Sequence, residues 1–150
     1  FDQVEFLLAP NLGEGLKPLV KVASGGETSR MMLALKNILA RADEVPTLIF
    51  DEIDQGIGGR IGMVVGEKLW QLGRQHQVFC VTHLPQLAAF GDQHLKVEKL
   101  LEEGRTLTRV APLEKDARLL ELAQMLGDVG EGTLRSAHEI LQAAQDIRKK

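Results

Sequence analysis

The chain has one cysteine, Cys80. A lone cysteine excludes an internal disulfide, and its place within the apolar run Val78-Phe79-Cys80-Val81 reads as a buried structural thiol rather than a nucleophile, so redox chemistry is not indicated. No apolar stretch approaches the roughly 20 residues that a helix needs to cross a bilayer, and no signal peptide opens the chain. A soluble cytoplasmic protein with no membrane partner is the expectation. A basic excess is also missing: 18 Lys and Arg stand against 21 Asp and Glu, for a net charge of -3. A surface dedicated to nucleic acid leaves a basic patch or stripe. Here only Arg148-Lys149-Lys150 cluster, and a solvated helix end accounts for them. Internal repeats and low-complexity tracts are absent. So is the G-x-x-x-x-G-K-[ST] loop with which a protein cradles a triphosphate by itself. The glycines from Gly56 to Gly59 have no lysine and form a turn.

What is present suits one α/β domain. A chain of 150 residues, 44% hydrophobic and 26% charged, can bury roughly 70% of its unfolded surface. Val4 to Ala9 reads as a strand, Pro10 to Pro18 as a loop with Gly13 and Gly15, and Leu19 to Ala23 as a second extended piece. From Thr28 to Ala42 the period becomes helical. Met31, Met32, Leu35, Ile38, Leu39 and Ala42 mark one apolar face that should pack on a sheet. Thr47 to Asp51 reads as a fully buried parallel strand, followed by a helix with the face Ile61, Val64, Val65, Leu69 and Leu72. Gln77 to Thr82 is the next buried strand, parallel to the last and ended by His83-Leu84-Pro85. Leu95 to Leu101 and Thr106 to Leu113 flank Glu102 to Arg105 as an antiparallel hairpin closing one edge. Two helices finish the chain. The first turns Leu119, Leu122, Ala123 and Leu126 inward; Gly127 to Gly132 breaks it, and Thr133 can cap the second, with Leu134, Ala137, Leu141 and Ala144. With Phe1 already inside an apparent strand, the sequence reads as a piece of something longer.

The chemistry gathers around Thr47-Leu48-Ile49-Phe50-Asp51-Glu52. A core explains Leu48 to Phe50 but not the two acids, since ionised carboxylates are rarely buried unless paired or holding a metal. They are either a solvated strand end or the seat of a cation, for which magnesium with a phosphorylated ligand is the usual choice. Parallel strands end on one edge of a sheet, where ligands bind. Asp51, Glu52 and His83 therefore share an edge, and His83 either reaches the ligand or satisfies its own loop. His76, His94 and His138 have no such setting and read as surface residues. Ser24-Gly25-Gly26-Glu27 precedes the first long helix. Ser24 and Glu27 make a capping box, while two glycines, each costing about 1 kcal/mol against alanine in a helix, let a ligand approach the backbone. Serine, glycines and free amides together make a phosphate seat.

In order, Ser24 to Glu27, Leu48 to Glu52 and Val81-Thr82-His83 resemble the signature motif, Walker B strand and H-loop of ABC-type ATPases. More closely, Lys21-Val22-Ala23-Ser24-Gly25-Gly26-Glu27-Thr28-Ser29-Arg30, Asp51-Glu52-Ile53-Asp54-Gln55-Gly56, Val81-Thr82-His83-Leu84-Pro85-Gln86 and Glu121-Leu122-Ala123-Gln124-Met125-Leu126-Gly127 resemble the RecN family of bacterial DNA repair proteins, which is similar to the structural-maintenance-of-chromosomes (SMC) proteins. The resemblance implies that residues 1–150 are the C-terminal lobe of an ABC-type P-loop ATPase head. Parallel strands would be flanked by helices, with an edge hairpin. The Walker A loop would lie in an N-terminal lobe of the same polypeptide, beyond a long coiled coil. It further implies ATP and Mg2+ as cofactors, Asp51 on the metal through its water shell, Glu52 on the attacking water and His83 at the γ-phosphate. Ser24, Gly25 and Gly26, in the signature with Glu27, would touch the nucleotide of a second head in an ATP-dependent homodimer. The implied activity is ATP hydrolysis by the complete head in double-strand-break repair and recombination, in the cytoplasm at the nucleoid, with DNA bound by the full-length protein. This segment alone is expected to be inactive. One departure is Gly58, where related ATPases usually carry a D-loop aspartate; Asp54 is the substitute to consider. The alternatives are a transporter's nucleotide-binding subunit, which Gly58 and the wording of residues 21–30 disfavour, and a non-catalytic dimerisation module, which the presence of Glu52 disfavours.

Overall fold

The computed structural model describes residues 4–9, 13, 15–39, 44–102 and 104–149, with Val22 in its backbone only. Near the start, β1 (Leu7–Leu8) pairs antiparallel with β2 (Lys17–Pro18). The strand expected over Val4 to Ala9 is thus only two residues long, and positions 10–12 and 14 of the loop expected from Pro10 to Pro18 lie outside the described residues. Leu19 to Ala23 is not extended: α1 (Leu19–Val22) is one helical turn, with the Ala23 amide donating to the Leu19 carbonyl. Val20 favours a strand by type, but a two-residue ladder offers it nothing to pair with.

The first long helix, α2 (Gly25–Leu39), starts before Thr28, and Ala40 to Ala42 lie outside the described residues. It buries Leu33. The stripe expected to be covered is instead open at Met32, Leu35, Ile38 and Leu39, with Ile38 78% exposed. In β3 (Thr47–Phe50), which pairs in parallel with β4 (Gln77–Cys80), Leu48 and Phe50 are buried while Ile49 is 72% exposed. The pairing is as expected, but among the described residues the strands are covered on one face only. Burial alternates because successive side chains point to opposite faces, and α3 (Gly59–Leu72) covers one of them with Val65, Leu69 and Leu72, leaving Ile61 and Val64 exposed. Leu33, Leu48, Phe50, Ile53, Val65, Leu69, Leu72 and Leu87 form the main core. Each such side chain contributes about 1.5–3 kcal/mol on full burial.

The short helix α4 (Pro85–Ala88) lies against α3 at Gly62 and Gly66, where a Cβ on Gly66 would run into the Phe90 ring. Arg118 holds the end of α4, donating through Nη2 to the carbonyls of Ala88, Ala89 and Gly91 at 2.9, 3.0 and 2.8 Å. The hairpin of β5 (His94–Glu102) and β6 (Arg105–Leu113) runs in register from His94 opposite Leu113 to Glu102 opposite Arg105. Among the described residues it is a two-stranded sheet of its own, with no ladder to β3 or β4. Helix α5 (Lys115–Met125) buries Leu122 and Ala123 against Ala137 of α6 (Glu131–Arg148). Thr133 caps α6 from inside its first turn: its hydroxyl oxygen accepts from the Gly130 amide at 2.9 Å.

Two histidines depart from the surface placement expected of them. His76 is buried, its Nδ1 2.7 Å from the Val45 carbonyl oxygen. His94 is half-buried, and burial first, then the Arg118 charge, holds it below the usual histidine range. His138 is exposed. Cys80 is half-buried and its thiol is pushed up to about 12, by burial before the charges of Asp54 and Asp51, as suits a structural thiol. Among the described residues no helix is long and apolar enough to cross a membrane.

Candidate functional site

Ser24 stands just before α2 and makes the capping box that its spacing from Glu27 foretells. The Glu27 amide donates to Ser24 Oγ at 3.3 Å, and the Ser24 amide donates to Glu27 Oε2 at 2.9 Å. The Ser24 amide, then its hydroxyl, holds the Glu27 carboxyl below the usual carboxylate range. The two glycines meet the chain's own acidic turn. A Cβ on Gly25 would collide with the Glu52 carboxylate, and one on Gly26 would lie 2.9 Å from the carbonyl oxygens of Glu52 and Gln55. Arg30, one turn into α2, ties the same turn down by donating through Nη1 to the carbonyls of Ile53 at 3.0 Å and Gln55 at 2.9 Å. Ser29 adds a bond from its hydroxyl to the Asp51 carbonyl at 2.9 Å. Packing against this turn therefore accounts for the glycines without a ligand.

Asp51 and Glu52 leave β3 at its carboxyl end, both exposed. Neighbouring residues of an extended strand face opposite ways, yet both acids line one pocket because the chain turns between them. Glu52 has φ 56°, a left-handed conformation that costs a residue with a Cβ about 1–2 kcal/mol, and its amide donates to Asp51 Oδ1 at 2.8 Å. The pocket, about 540 Å³, is bounded by Gly25, Thr28, Ser29 and the two acids, with Leu19, Val20 and Ala23 along one side. Ser24 is at its rim rather than in its lining. No lysine or arginine is among the residues that line it.

His83 follows β4 and joins a different acid. Asp54, marked in the sequence only as a D-loop substitute and 4% exposed, takes two hydrogen bonds on Oδ2, from Thr82 Oγ1 at 2.5 Å and from the His83 amide at 2.8 Å, and the same oxygen lies 2.9 Å from His83 Nδ1 as an ion-pair contact. Burial raises the Asp54 carboxyl, but the Thr82 hydroxyl, the His83 amide and the His83 ring outweigh it and leave the group below its ordinary value. In the sequence Asp54 is marked only as a substitute for the D-loop aspartate missing at Gly58. The carboxylate points inward.

The donor set is all oxygen, which suits a hard cation. Among the described residues no three His, Cys, Asp or Glu side chains converge on one point. A cation here would be held by Asp51 through its water shell, the habit of magnesium rather than of a metal held in an all-protein cage. The exposed Glu52 carboxylate beside it is able to accept a proton or orient a water.

No protein-family model matches the chain. It is 46% identical over 149 residues, 98% of its length, to DNA repair protein RecN of Bacillus subtilis. It is 49% identical over 146 residues, 96% of its length, to that of Vibrio cholerae, and 48% identical over 151 residues, 99% of its length, to that of Treponema pallidum. It spans 26% of each of these relatives. A solved chain described as "Structural biochemistry of ATP-driven dimerization and DNA stimulated activation of SMC ATPases" superposes with a TM-score of 0.54 at 20% identity, over 79% of this chain and 70% of that one. That likeness concerns the fold, and it agrees with parallel strands, flanking helices and a hairpin. The chain belongs to the RecN family, as a C-terminal segment about a quarter of its members' length, and has the α/β fold of the matching lobe of an ABC-type ATPase head.

Proposed function

We propose that this segment is the catalytic C-terminal lobe of a head that hydrolyses ATP, in a protein acting in DNA double-strand-break repair and recombination. The observation that carries the reading is the pocket at the carboxyl end of β3, where an exposed acid pair meets the glycine start of α2. Asp51 holds magnesium through its water shell. Magnesium, when bound, neutralises and aligns the phosphate oxygens of ATP. Glu52 takes the proton of the attacking water as the new bond to phosphorus forms and the bond to the ADP oxygen breaks. His83 contacts the γ-phosphate. Ser24, Gly25 and Gly26 face the nucleotide of a second head in an ATP-dependent homodimer. A phosphate at Gly25 and the Glu52 carboxylate cannot share that space, since both are negative, so engagement of the second head moves Glu52 off the glycine.

The rest of the head comes from the same polypeptide. Among the described residues nothing pairs with the edge of β4 away from β3, and a cleft of about 920 Å³ opens between Gln77–His83 and Gln93–Val97. The exposed Ile49, Phe79 and α2 stripe add apolar surface. An N-terminal lobe bearing the glycine-lysine phosphate loop would cover these faces and supply the cationic cradle that the pocket does not have. The isolated segment should therefore bind ATP poorly in calorimetry, and micromolar affinity would count against a head split in two.

The test of the chemistry uses the complete protein. Glu52→Gln keeps the shape and removes the base, so turnover should fall roughly 10²- to 10⁴-fold while ATP binding survives. Asp51→Asn should weaken magnesium-dependent binding itself. Wild-type turnover in Glu52→Gln, or equal loss of binding in both, would overturn these roles.

A further inference from the structure

Asp54 has no part in the chemistry above, yet it is the acid most firmly engaged with a site residue. Its carboxylate is almost wholly buried, and a single oxygen, Oδ2, receives the Thr82 hydroxyl and the His83 amide and lies 2.9 Å from His83 Nδ1. The His83 side chain is 75% exposed. An exposed imidazole otherwise turns freely about two torsions and presents either nitrogen. Here a hydrogen bond fixes the amide of His83 and a close ion-pair contact engages its ring, both from the same atom three residues beyond Asp51. A carboxylate only accepts, so Nδ1 must carry the proton, and which nitrogen of a histidine is protonated is set by the bond the other one makes. That leaves Nε2 as the acceptor nitrogen of the ring.

We infer that Asp54 is a positioning residue for the hydrolytic step: it pins the proton of His83 on Nδ1 and aims Nε2 at the reacting groups. The inference rests on the proposed contact of His83 with the γ-phosphate. It also gives Asp54 a role other than that of a D-loop aspartate replacing the residue missing at Gly58. A carboxylate bound at three points inside its own chain is not offered to a second head.

The test is made in the complete protein with 15N-labelled histidine, His83→Ala serving to assign the His83 signals. In the wild type the nitrogen shifts should report protonated Nδ1. In Asp54→Ala that preference should be lost, with turnover down roughly 10- to 100-fold, the usual effect of removing a residue that orients a functional one, and with the KM for ATP little changed. In the His83→Ala background the Asp54→Ala change should cost nothing further. Should Asp54→Ala not fold, Asp54→Asn, of the same shape, is read in both assays. Its amide is able to donate as well as accept, so the Nδ1 preference should weaken. Unchanged His83 shifts in the folded variants, or turnover losses that simply multiply in the double variant, would overturn the inference. If His83→Ala alone turns over at the wild-type rate, the γ-phosphate contact of His83 fails, and the nitrogen shifts still decide whether Asp54 holds the ring.

Discussion

Gly26→Ala separates structural from ligand-based reasons for the glycines. At position 26 a Cβ would lie 2.9 Å from three atoms: the carbonyl oxygens of Glu52 and Gln55 and Arg30 Nη1. Two of these are backbone, so no side-chain rotation relieves the clash. Either α2 or the acidic turn must shift, and the shift opens the bonds from Arg30 to Ile53 and Gln55 and from the Gly26 amide to Gln55 Oε1 at 3.4 Å. Overfilling a packed site costs about 1–3 kcal/mol. Alanine recovers up to about 1 kcal/mol of helix propensity, which leaves a net loss of up to about 2 kcal/mol. Gly132, in the first turn of α6 with no atom within 4 Å of its would-be Cβ, is the matched control. There Gly→Ala should stabilise by about 0.4–1 kcal/mol, through a less flexible unfolded chain. Urea denaturation followed by circular dichroism measures both, and the two midpoints should move in opposite directions. A Gly26→Ala variant as stable as Gly132→Ala would refute the contact between α2 and the acidic turn, and would return the glycines to a purely ligand-binding role.

Ser24→Arg should lose the cap, worth about 1 kcal/mol, and in the complete protein should still bind ATP but not form the ATP-dependent dimer in light scattering; dimerisation as in the wild type would leave Ser24 as a cap alone. Because the folded Asp54 carboxyl lies below its ordinary value, its contribution to stability is present above the unfolded value of about 3.9 and is lost as pH falls through the folded one. The acid limb of the stability profile below about pH 4 should therefore be shallower in Asp54→Asn, and an unchanged limb would mean that the buried bonds do not favour the ionised form. With its thiol pushed up to about 12, Cys80 should react with iodoacetamide at pH 8 far more slowly in the folded than in the urea-unfolded chain, and equal rates would show the site to be open.

What could be read in advance depended on local chemistry. Ser24 and Glu27 sit at the spacing of a capping box, and such a box needs nothing beyond four residues, so it forms as expected. The parallel pairing of β3 and β4 follows from two apolar runs joined by a helical period. Burial was a different matter. Ile49 and Phe79 are as apolar as Leu48 and Phe50, but whether a face is covered depends on what lies across it, and in this segment only one face meets α3. The same holds for the Ile38 stripe on α2. His76 read as a surface residue because nothing near it in sequence predicts the carbonyl of Val45, 31 positions away. Asp54 was legible only as a D-loop substitute, since an acid that binds backbone and side-chain donors inside the fold is spelled like any surface aspartate.

The residues after β3 do more than carry two carboxylates. Ile53 is fully buried in the main core and fixes the turn to the body of the lobe. The next residue, Asp54, fastens the end of β4 and so the His83 backbone and ring. The carbonyls of Ile53 and Gln55 receive Arg30 and so fasten the start of α2 with Ser24 to Gly26. Two elements from distant parts of the chain, the start of α2 and the end of β4, are thus referred to one turn of five residues, and the two exposed acids stand at its beginning. A close-packed anchor of this kind transmits displacement instead of absorbing it. If α2 moves relative to β3, the bonds from Arg30 must break or the turn must move with it, and if the turn moves, Asp54 carries His83 along. The left-handed conformation of Glu52 lies between the strand and this anchor, with its amide donating to Asp51 Oδ1 and its carbonyl accepting from the Gln55 amide, so the acid pair is tied to the same turn that holds α2 and His83.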